Sequence, residues 1–411
     1  MKQTEIGLIP DDWEVKEFNQ VATLINGRAY FQSELLKQGK YKVLRVGNFG
    51  TNDTWYYSNL ELPEKQYCNK GDLLYCWSCT YGAYIWNEDD TIYHYHIWKI
   101  QTNNADKYYL KYILNNDIAS QMSNSNGSTM AHITKGFLEK RRFVFPPFEE
   151  QQRIAKALSD VDALISTTEK LIQKKKNIKQ GAMQNLLTGK KRLPGFAKSN
   201  NTKMTELGEI PEDWEVKSLR DIAFVTKLAG FEFTAHVNYS EIGKIIALRG
   251  LNVKKGYLVL DDVKFIDNSN FSKLDRSKLY INDLLFTYVG TVGNVALVNK
   301  NDTYYLAPNV ALIRGNKYVY SYFLMYLMLS QHFFDNQIQA LMSTTSQAAL
   351  SMTNIRLFKI PLPSIEEQTA IANVLSSMDK EIETLNTKLE KYRNLKTAMM
   401  QQLLTGKIRL V

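Results

Sequence analysis

The residues best equipped for chemistry in this chain form three small groups, and each is short of a partner. Cys76-Trp-Ser-Cys79 has the spacing of a metal or redox pair, but the one other cysteine is Cys68, and a structural zinc site needs four N or S ligands. His94 and His96 alternate as on one face of a strand, with no third ligand or carboxylate beside them. Pro10-Asp11-Asp12-Trp13-Glu14-Val15-Lys16 has the letters of a metal-dependent nuclease motif. Such sites bring carboxylates from separate strands onto one cation, whereas Asp11 and Glu14 flank a single turn, and the copy at Pro211-Glu212-Asp213 changes the first carboxylate. The better readings are strand cysteines, a strand-face histidine pair, and a turn whose tryptophan packs into a domain. The chain has no Gly-x-x-x-x-Gly-Lys-Ser/Thr loop, no Gly-x-Gly-x-x-Gly turn and no Asn-Pro-Pro-aromatic motif. The usual signatures of nucleotide binding and amino-methyl transfer are therefore missing.

What would position any site is a duplicated frame. Thr4–Lys16 and Thr205–Lys217 are identical except at Ile6/Leu207, Leu8/Glu209 and Asp11/Glu212. The block from Glu149-Glu150-Gln151 to Leu193 returns as Glu366-Glu367-Gln368 to Leu410, and both copies contain Leu-Leu-Thr-Gly-Lys. The offset rises from 201 (Trp13/Trp214) through 211 (Asp72/Asp283) to 217 (Ile133/Leu350), then stays constant. Length changes therefore fall in the divergent inserts. Repeats of this kind dictate architecture; here they suggest a bivalent reader with constant assembling parts and variable discriminating parts.

At 411 residues, 44% hydrophobic and 23% charged, the chain has the composition of a globular protein too long for one core. A net charge of +9 favours a polyanionic partner. No run approaches the ~18 apolar residues of a membrane span and no leader opens the chain, so a cytoplasmic protein without membrane partners is expected.

Alternating aromatic, β-branched and polar residues predict strands at 41–49, 72–77 and 92–100, with counterparts at 244–251, 283–289 and 303–313. Short helices are expected at 107–116 and 319–330, polar loops at 123–129 and 343–347, and closing strands at 143–147 and 359–363. A four-three apolar rhythm from Ile371 through Leu375, Met378, Ile382, Leu385 and Leu389 to Leu403 predicts a long helix with a coiled-coil seam. The first copy, from Ile154, is more polar, with Thr168, Lys175 and Lys179 on the seam. Gly189 and Gly406 fit helix C-caps. The fold expected is α+β: two globular domains separated by a long antiparallel helix pair, related by a pseudo-twofold internal repeat. The expected segments are 1–147, 148–190 (first long helix), 191–204 (linker), 205–363 and 364–411 (second long helix).

Together these residues resemble the DNA-specificity subunit of type I restriction-modification systems. The resemblance is carried by Ile9-Pro10-x-x-Trp13, Pro146-Pro147-x-x-Glu150-Gln151-x-x-Ile154-Ala155 and Leu186-Leu187-Thr188-Gly189. All three recur, at Ile210-Pro211-x-x-Trp214, Pro363-x-x-Glu367-Gln368-x-x-Ile371-Ala372 and Leu403-Leu404-Thr405-Gly406. It spans essentially the whole chain and implies two target-recognition domains, no catalysis of the chain's own, and a bipartite double-stranded DNA target. The implied partners are two copies of a modification (methyltransferase) subunit and a restriction/translocase subunit, which would hold S-adenosylmethionine, ATP and Mg. The alternatives are a DNA-modifying enzyme with an unrecognised motif and a pure protein-interaction scaffold.

DNA contact calls for loops that combine cations, amides and aromatics. In the first half these are Arg28 and Tyr30, then Ser78, Thr80, Tyr81 and Tyr84, then Ser128, Thr129 and Lys135. In the second half they are Lys227, then Thr287, Tyr288 and Thr291, then Thr344, Thr345 and Gln347. Gly82 and Gly293, aligned within these loops, suggest close backbone approach to DNA or to a neighbouring strand. The run Lys174-Lys175-Lys176 with Lys179 reads as a phosphate-facing or a solvated helix face.

Overall fold

The computed structural model describes every residue except 51, 79–80, 125–132, 198 and 343–347, and describes 120–124 by backbone alone. The chain forms two compact units, Met1–Glu169 with Thr387–Val411 and Lys170–Asn386. The long helices, Phe148–Leu187 and Ile365–Leu403, are about 60 Å long at ~1.5 Å per residue. Each is divided between the two units. The reason is packing: Ile154, Ala155 and Leu158 lie in the core of unit 1, and Ile371, Ala372 and Leu375 in the core of unit 2. No helix among the described residues is long and apolar enough to cross a membrane.

Unit 1 contains β1 (Lys2–Thr4), β2 (Gly7–Ile9), β3 (Glu14–Glu17), β4 (Ala22–Asn26), β5 (Tyr41–Leu44), β6 (Tyr56–Ser58), β7 (Tyr67–Cys68), β8 (Leu73–Cys76), β9 (Gly82–Ile85), β10 (Thr91–Tyr93), β11 (Ile97–Thr102) and β12 (Arg142–Phe145). They build a leading hairpin β1-β2, a ribbon β12-β3, and two four-stranded sheets ordered β6-β5-β10-β7 and β4-β11-β8-β9. Unit 2 repeats this with β13 (Thr202–Thr205), β14 (Gly208–Pro211), β15 (Glu215–Ser218), β16 (Ala223–Lys227), β17 (Ile246–Leu248), β18 (Lys264–Phe265), β19 (Leu284–Thr287), β20 (Val295–Leu297), β21 (Tyr304–Leu306), β22 (Val310–Gly315) and β23 (Lys359–Leu362). Its sheets are β13-β14, β15-β23, β16-β22-β19-β20 and β18-β17-β21.

Three strand expectations are corrected. Residues 92–100 and 303–313 each divide into two strands of different sheets, β10/β11 and β21/β22. The break falls at His94–His96 and at Ala307–Asn309, where Asn309 takes φ +69°; the histidines thus sit in a turn and not on a strand face. The strand expected at 41–49 stops at Leu44, because the Asn48 side chain accepts the Arg45 N–H (3.1 Å) and turns the chain into a 3₁₀ turn. The helix at 107–116 is longer, Lys107–Asn124, and the one at 319–330 is Ser321–Leu329.

The duplicated motifs meet in one device per unit. In unit 1 the buried Trp13 donates its indole N–H to Glu150 (3.0 Å), a carboxylate only 1% exposed. Arg409, three residues past Gly406, donates Nε and Nη2 to the two Glu150 oxygens, both at 2.8 Å, and grips Asp12 with Nη1 and Nη2 at 2.9 and 2.7 Å. Unit 2 repeats this: Trp214 donates to Glu367 (3.1 Å), and Arg192, three past Gly189, holds Glu367 and Asp213. Both glycines have φ near +70°, and a Cβ on either would collide with the ring of Pro10 or Pro211, so the positions require glycine. The neighbouring Gln151 and Gln368 tie the starts of the earlier helices Lys107–Asn124 and Ser321–Leu329 to the frame, each accepting a backbone N–H, from Asp106 (3.0 Å) and Tyr320 (2.8 Å).

Within each unit the segments of the two long helices run antiparallel and share a second repeated contact. Asp162 accepts Tyr112 Oη (2.7 Å) and Lys396 Nζ (2.6 Å). Its counterpart Asp379 accepts Tyr326 Oη (2.8 Å) and Lys179 Nζ (2.5 Å). The polar seam positions are thus explained: Lys175 pairs with Glu381 and Lys179 with Asp379, while the buried Thr168 returns its hydroxyl to the Leu164 carbonyl.

Burial opposes ionisation of Glu150, but the guanidinium of Arg409 and the N–H groups of Trp13 and Leu410 hold its carboxyl below the usual range. A hydrogen bond from Arg409 likewise lowers Asp12. Depressed folded-state values stabilise the fold above the unfolded values near 4, and the contribution fades as pH falls through the folded values. Arg409→Ala, which strands a buried carboxylate, is expected to destabilise unit 1 by about 3 kcal/mol at neutral pH. In calorimetry the melting gap to wild type should narrow between pH 6 and pH 3; a gap independent of pH would exclude this role for Glu150.

Candidate functional site

Antiparallel pairing brings four strand ends together on one edge of each larger sheet. In unit 1 the end of β4 pairs Asn26 with Trp98, and Ile97 at the start of β11 pairs with Cys76 at the end of β8. Cys76 in turn pairs with Gly82 at the start of β9. The parallel pair β5/β10 ends on the same side, through Leu44 and Tyr93. Unit 2 forms the same edge from Lys227, Thr287, Val295 and Val310, with Leu248 and Leu306 ending β17 and β21.

In unit 1 this edge is rich in aromatics and imidazoles. Arg28 forms a bridge with His94, and its carbonyl accepts Tyr95 N–H at 3.0 Å. Trp77 donates its indole N–H to the Tyr95 carbonyl (3.0 Å), stacks on Trp98 at 5.6 Å and meets His96 edge-on at 4.9 Å. Burial, with repulsion from His96 and Arg45, lowers the His94 pKa to about 4, so this imidazole is neutral at physiological pH. In unit 2 the counterpart of Trp77 is Tyr288, whose N–H bonds the Asn309 carbonyl (3.2 Å) as Trp77 N–H bonds that of His96 (3.3 Å). The Lys227 ammonium lies 5.5 Å over the Tyr288 ring.

The residues expected from the sequence divide into three groups. Thr80, Ser128, Thr129, Thr344, Thr345 and Gln347 lie outside the described residues. Arg28, Ser78, Tyr81, Lys227, Tyr288 and Thr291 gather at the two sheet ends, with only Lys227 and Thr291 exposed. The rest hold the edge together. Tyr30 stacks on His94 at 6.4 Å, and Tyr84 stacks on Phe49 at 4.4 Å. Lys135 donates to the Leu24 carbonyl in β4 (2.9 Å), as Arg356 of unit 2 does to Val225 in β16 (3.0 Å). Of the residues gathered at the sheet ends, Arg28 is already neutralised, its guanidinium forming a two-pronged pair with Glu34 at 2.8 and 2.7 Å.

Thr287 is buried, its hydroxyl donating to the Thr291 carbonyl (2.5 Å) and accepting Asn294 N–H (3.0 Å). The close approaches of the aligned glycines are internal: a Cβ on Gly82 would meet the Tyr84 ring, and one on Gly293 would meet Phe334. Of the lysine run, Lys175 and Lys179 are committed to ion pairs, whereas Lys174 and Lys176 are exposed.

Trp77 and His96 are absent from the sequence expectation because the sequence places Trp77 at the end of a strand and His96 on a strand face, and neither position marks a loop. Also absent are Arg45 and Arg249, at the ends of β5 and β17. Their signal was a short repeat, Leu44-Arg45-x-x-Asn48 and Leu248-Arg249-x-x-Asn252, hidden by a different offset. Cys68 and Cys76 are buried free thiols, and burial pushes both thiol pKa values up, away from the reactive range. Asp12 and Glu14 of the nuclease-like letters are spent on Arg409 and Lys16. No group of three or more His, Cys, Asp or Glu side chains that could hold a metal occurs among the described residues.

The turn chemistry separates scaffold from surface. Thr287→Val leaves the Asn294 N–H unpaired in a buried turn and should cost about 1–3 kcal/mol in chemical denaturation. Exposed Thr291→Ala should leave the midpoint unchanged; equal losses in the two variants would contradict this division.

The sequence profile of the type I restriction modification DNA specificity domain matches residues 10–180 and again 211–391. The chain is 28% identical, over 98% of its length and 94% of the relative, to the type I restriction enzyme MjaVIII specificity subunit of Methanocaldococcus jannaschii. It is 23% identical, over 98% of its length and 90% of the relative, to the EcoKI specificity subunit of Escherichia coli K12. Among solved structures, the type I restriction-modification S subunit from M. genitalium superposes with a TM-score of 0.58 at 15% identity, covering 98% of both chains. A chain from a structure concerned with assembly and conformational transition of a type I R-M system gives 0.55 at 14% identity, covering 98% of this chain and 100% of the other. At these identities the structural likeness speaks for the fold.

Proposed function

This chain belongs to the type I restriction modification DNA specificity family, and on that footing we propose that it is a non-catalytic subunit that reads a bipartite duplex DNA target and scaffolds the catalytic subunits of a type I complex. The observation that carries this reading is one frame presenting two different sheet ends. The clasps at Trp13 and Trp214 match atom for atom, while the edges they support carry Trp77, Tyr95 and His96 in one unit and Tyr288, Asn309 and Lys227 in the other. A constant scaffold with divergent polar and aromatic edges suits two independent readers, since base identity is read by side chains and loop geometry.

Catalysis belongs, in this reading, to the partners: S-adenosylmethionine with two copies of a modification subunit, ATP and Mg with a restriction/translocase subunit, all in the cytoplasm. Two equivalent grooves support two equivalent docking positions. One, of about 880 Å³, is bounded by Leu187, Leu207 and Lys359; the other, of about 670 Å³, is bounded by the corresponding Leu404, Ile6 and Arg142.

Replacing residues 205–361 with the insert of a relative should change half of the methylated target and leave the other half intact. Methylome sequencing checks this, and loss of both halves with the complex still assembled would count against independent readers. Native mass spectrometry should show two modification subunits per chain. Saturation at one, or methyl transfer by the purified chain alone, would overturn the scaffold reading.

A further inference from the structure

Arg45 and Arg249 occupy one position in the two units. Each follows a strand that pairs in parallel with its neighbour, β5 with β10 and β17 with β21. Each has its backbone N–H capped, at 3.1 Å, by the asparagine three residues on, Asn48 or Asn252. The carbonyl just before each accepts the first N–H of the strand break, Leu44 from His94 (2.9 Å) and Leu248 from Ala307 (3.2 Å). Both arginines therefore stand at the edge that carries Trp77 and His96 in unit 1 and Tyr288 and Asn309 in unit 2. Both also have a buried Nε without a hydrogen-bond partner, and Trp86 Nε1 is the one other such side-chain atom among the described residues.

The two differ in what neutralises them. Arg249 Nη2 donates to the Asp262 carboxylate at 2.7 Å and to its carbonyl at 2.9 Å. Arg45 has no carboxylate among the described residues. It lies 4.1 Å over the Tyr56 ring and makes one long hydrogen bond, Nη2 to the Thr54 carbonyl at 3.4 Å. A partly buried guanidinium with idle donors and no counter-charge is costly unless an anion completes it, and a planar fork of donors fits a phosphodiester. The Asp262 carboxylate is 68% exposed, so its pairing with Arg249 is weak and exchangeable.

We propose that Arg45 and Arg249 are equivalent contacts to the DNA phosphate backbone, one per unit, open in unit 1 and screened by Asp262 in unit 2. This rests on the DNA-reading function proposed above. It adds an asymmetry: unit 1 engages the backbone without giving up an internal pair, whereas unit 2 must exchange Asp262 for phosphate.

The test is fluorescence anisotropy of the full chain on a 40-base-pair duplex of mixed sequence across a KCl series. Each phosphate contact contributes about 0.9 to the slope of log K against log salt. Arg45→Gln should make the slope shallower by about that amount, and Arg45→Lys should keep it, an outcome a purely structural role would not produce. Asp262→Asn, a surface change that cannot disturb a core, should tighten binding by up to about fivefold. An unchanged slope in Arg45→Gln, or unchanged binding in Asp262→Asn, overturns the assignment while leaving the DNA reading intact. Absence of salt-dependent binding by the wild type overturns both.

Discussion

A buried carboxylate shared by an indole N–H and a guanidinium organises each unit. Glu150 sits at the start of one long helix, Trp13 at the start of the globular part, and Arg409 just past the end of the other long helix. Neither ion, Glu150 nor Arg409, could be buried alone without a large desolvation penalty, and the neutral Trp13 indole would be left with an unpaired N–H. Together they satisfy one another, and the Asp12 carboxylate at the rim completes the guanidinium. Three elements far apart in sequence are thereby fixed at one point. Unit 2 uses Glu367, Trp214 and Arg192 in the same way.

The clasp also decides which segment belongs to which unit. Arg192 follows the first long helix yet closes unit 2, and Arg409 follows the second yet closes unit 1. Asp162 with Tyr112 and Lys396, and Asp379 with Tyr326 and Lys179, repeat this exchange of helix segments farther along. Residues that look like blemishes in a hydrophobic seam, Lys179 and Lys396, are its polar pins. They give register at a place where apolar packing alone is indifferent to sliding, a role for which buried polar pairs are well suited.

With the frame held this way, the sheet ends carry little structural duty beyond their own turns. Thr287, Gly293 and Asn294 tie one turn in unit 2, while in unit 1 the stacking of Trp77, Trp98 and Tyr75 does comparable work by aromatic contact. Different chemistry therefore serves the same geometric purpose. The inserts can change composition without loss of the scaffold, which is the condition for a reader whose two halves diverge.

By itself the sequence determined the duplicated frame, the two long helices with their glycine caps, and the α+β pattern of the inserts, because these depend on local periodicity and on motifs repeated at nearly fixed offsets. The nuclease-like letters were also correctly read as a turn around Trp13, since the spacing of their carboxylates forbade convergence. Tertiary structure decided the rest. In Glu149-Glu150-Gln151 only the middle residue is the buried acceptor of the clasp, and nothing in the local sequence separates it from Glu149. The runs at 92–100 and 303–313 read as single strands, yet each breaks where the chain passes between sheets, a choice made by pairing partners distant in sequence. Arg28 and Arg45 are both single arginines amid mixed polar and apolar residues, with no acidic residue adjacent to either in sequence. Glu34 neutralises one and no described carboxylate neutralises the other, because the partners of a charge are set by the packing of remote segments and not by its neighbours along the chain.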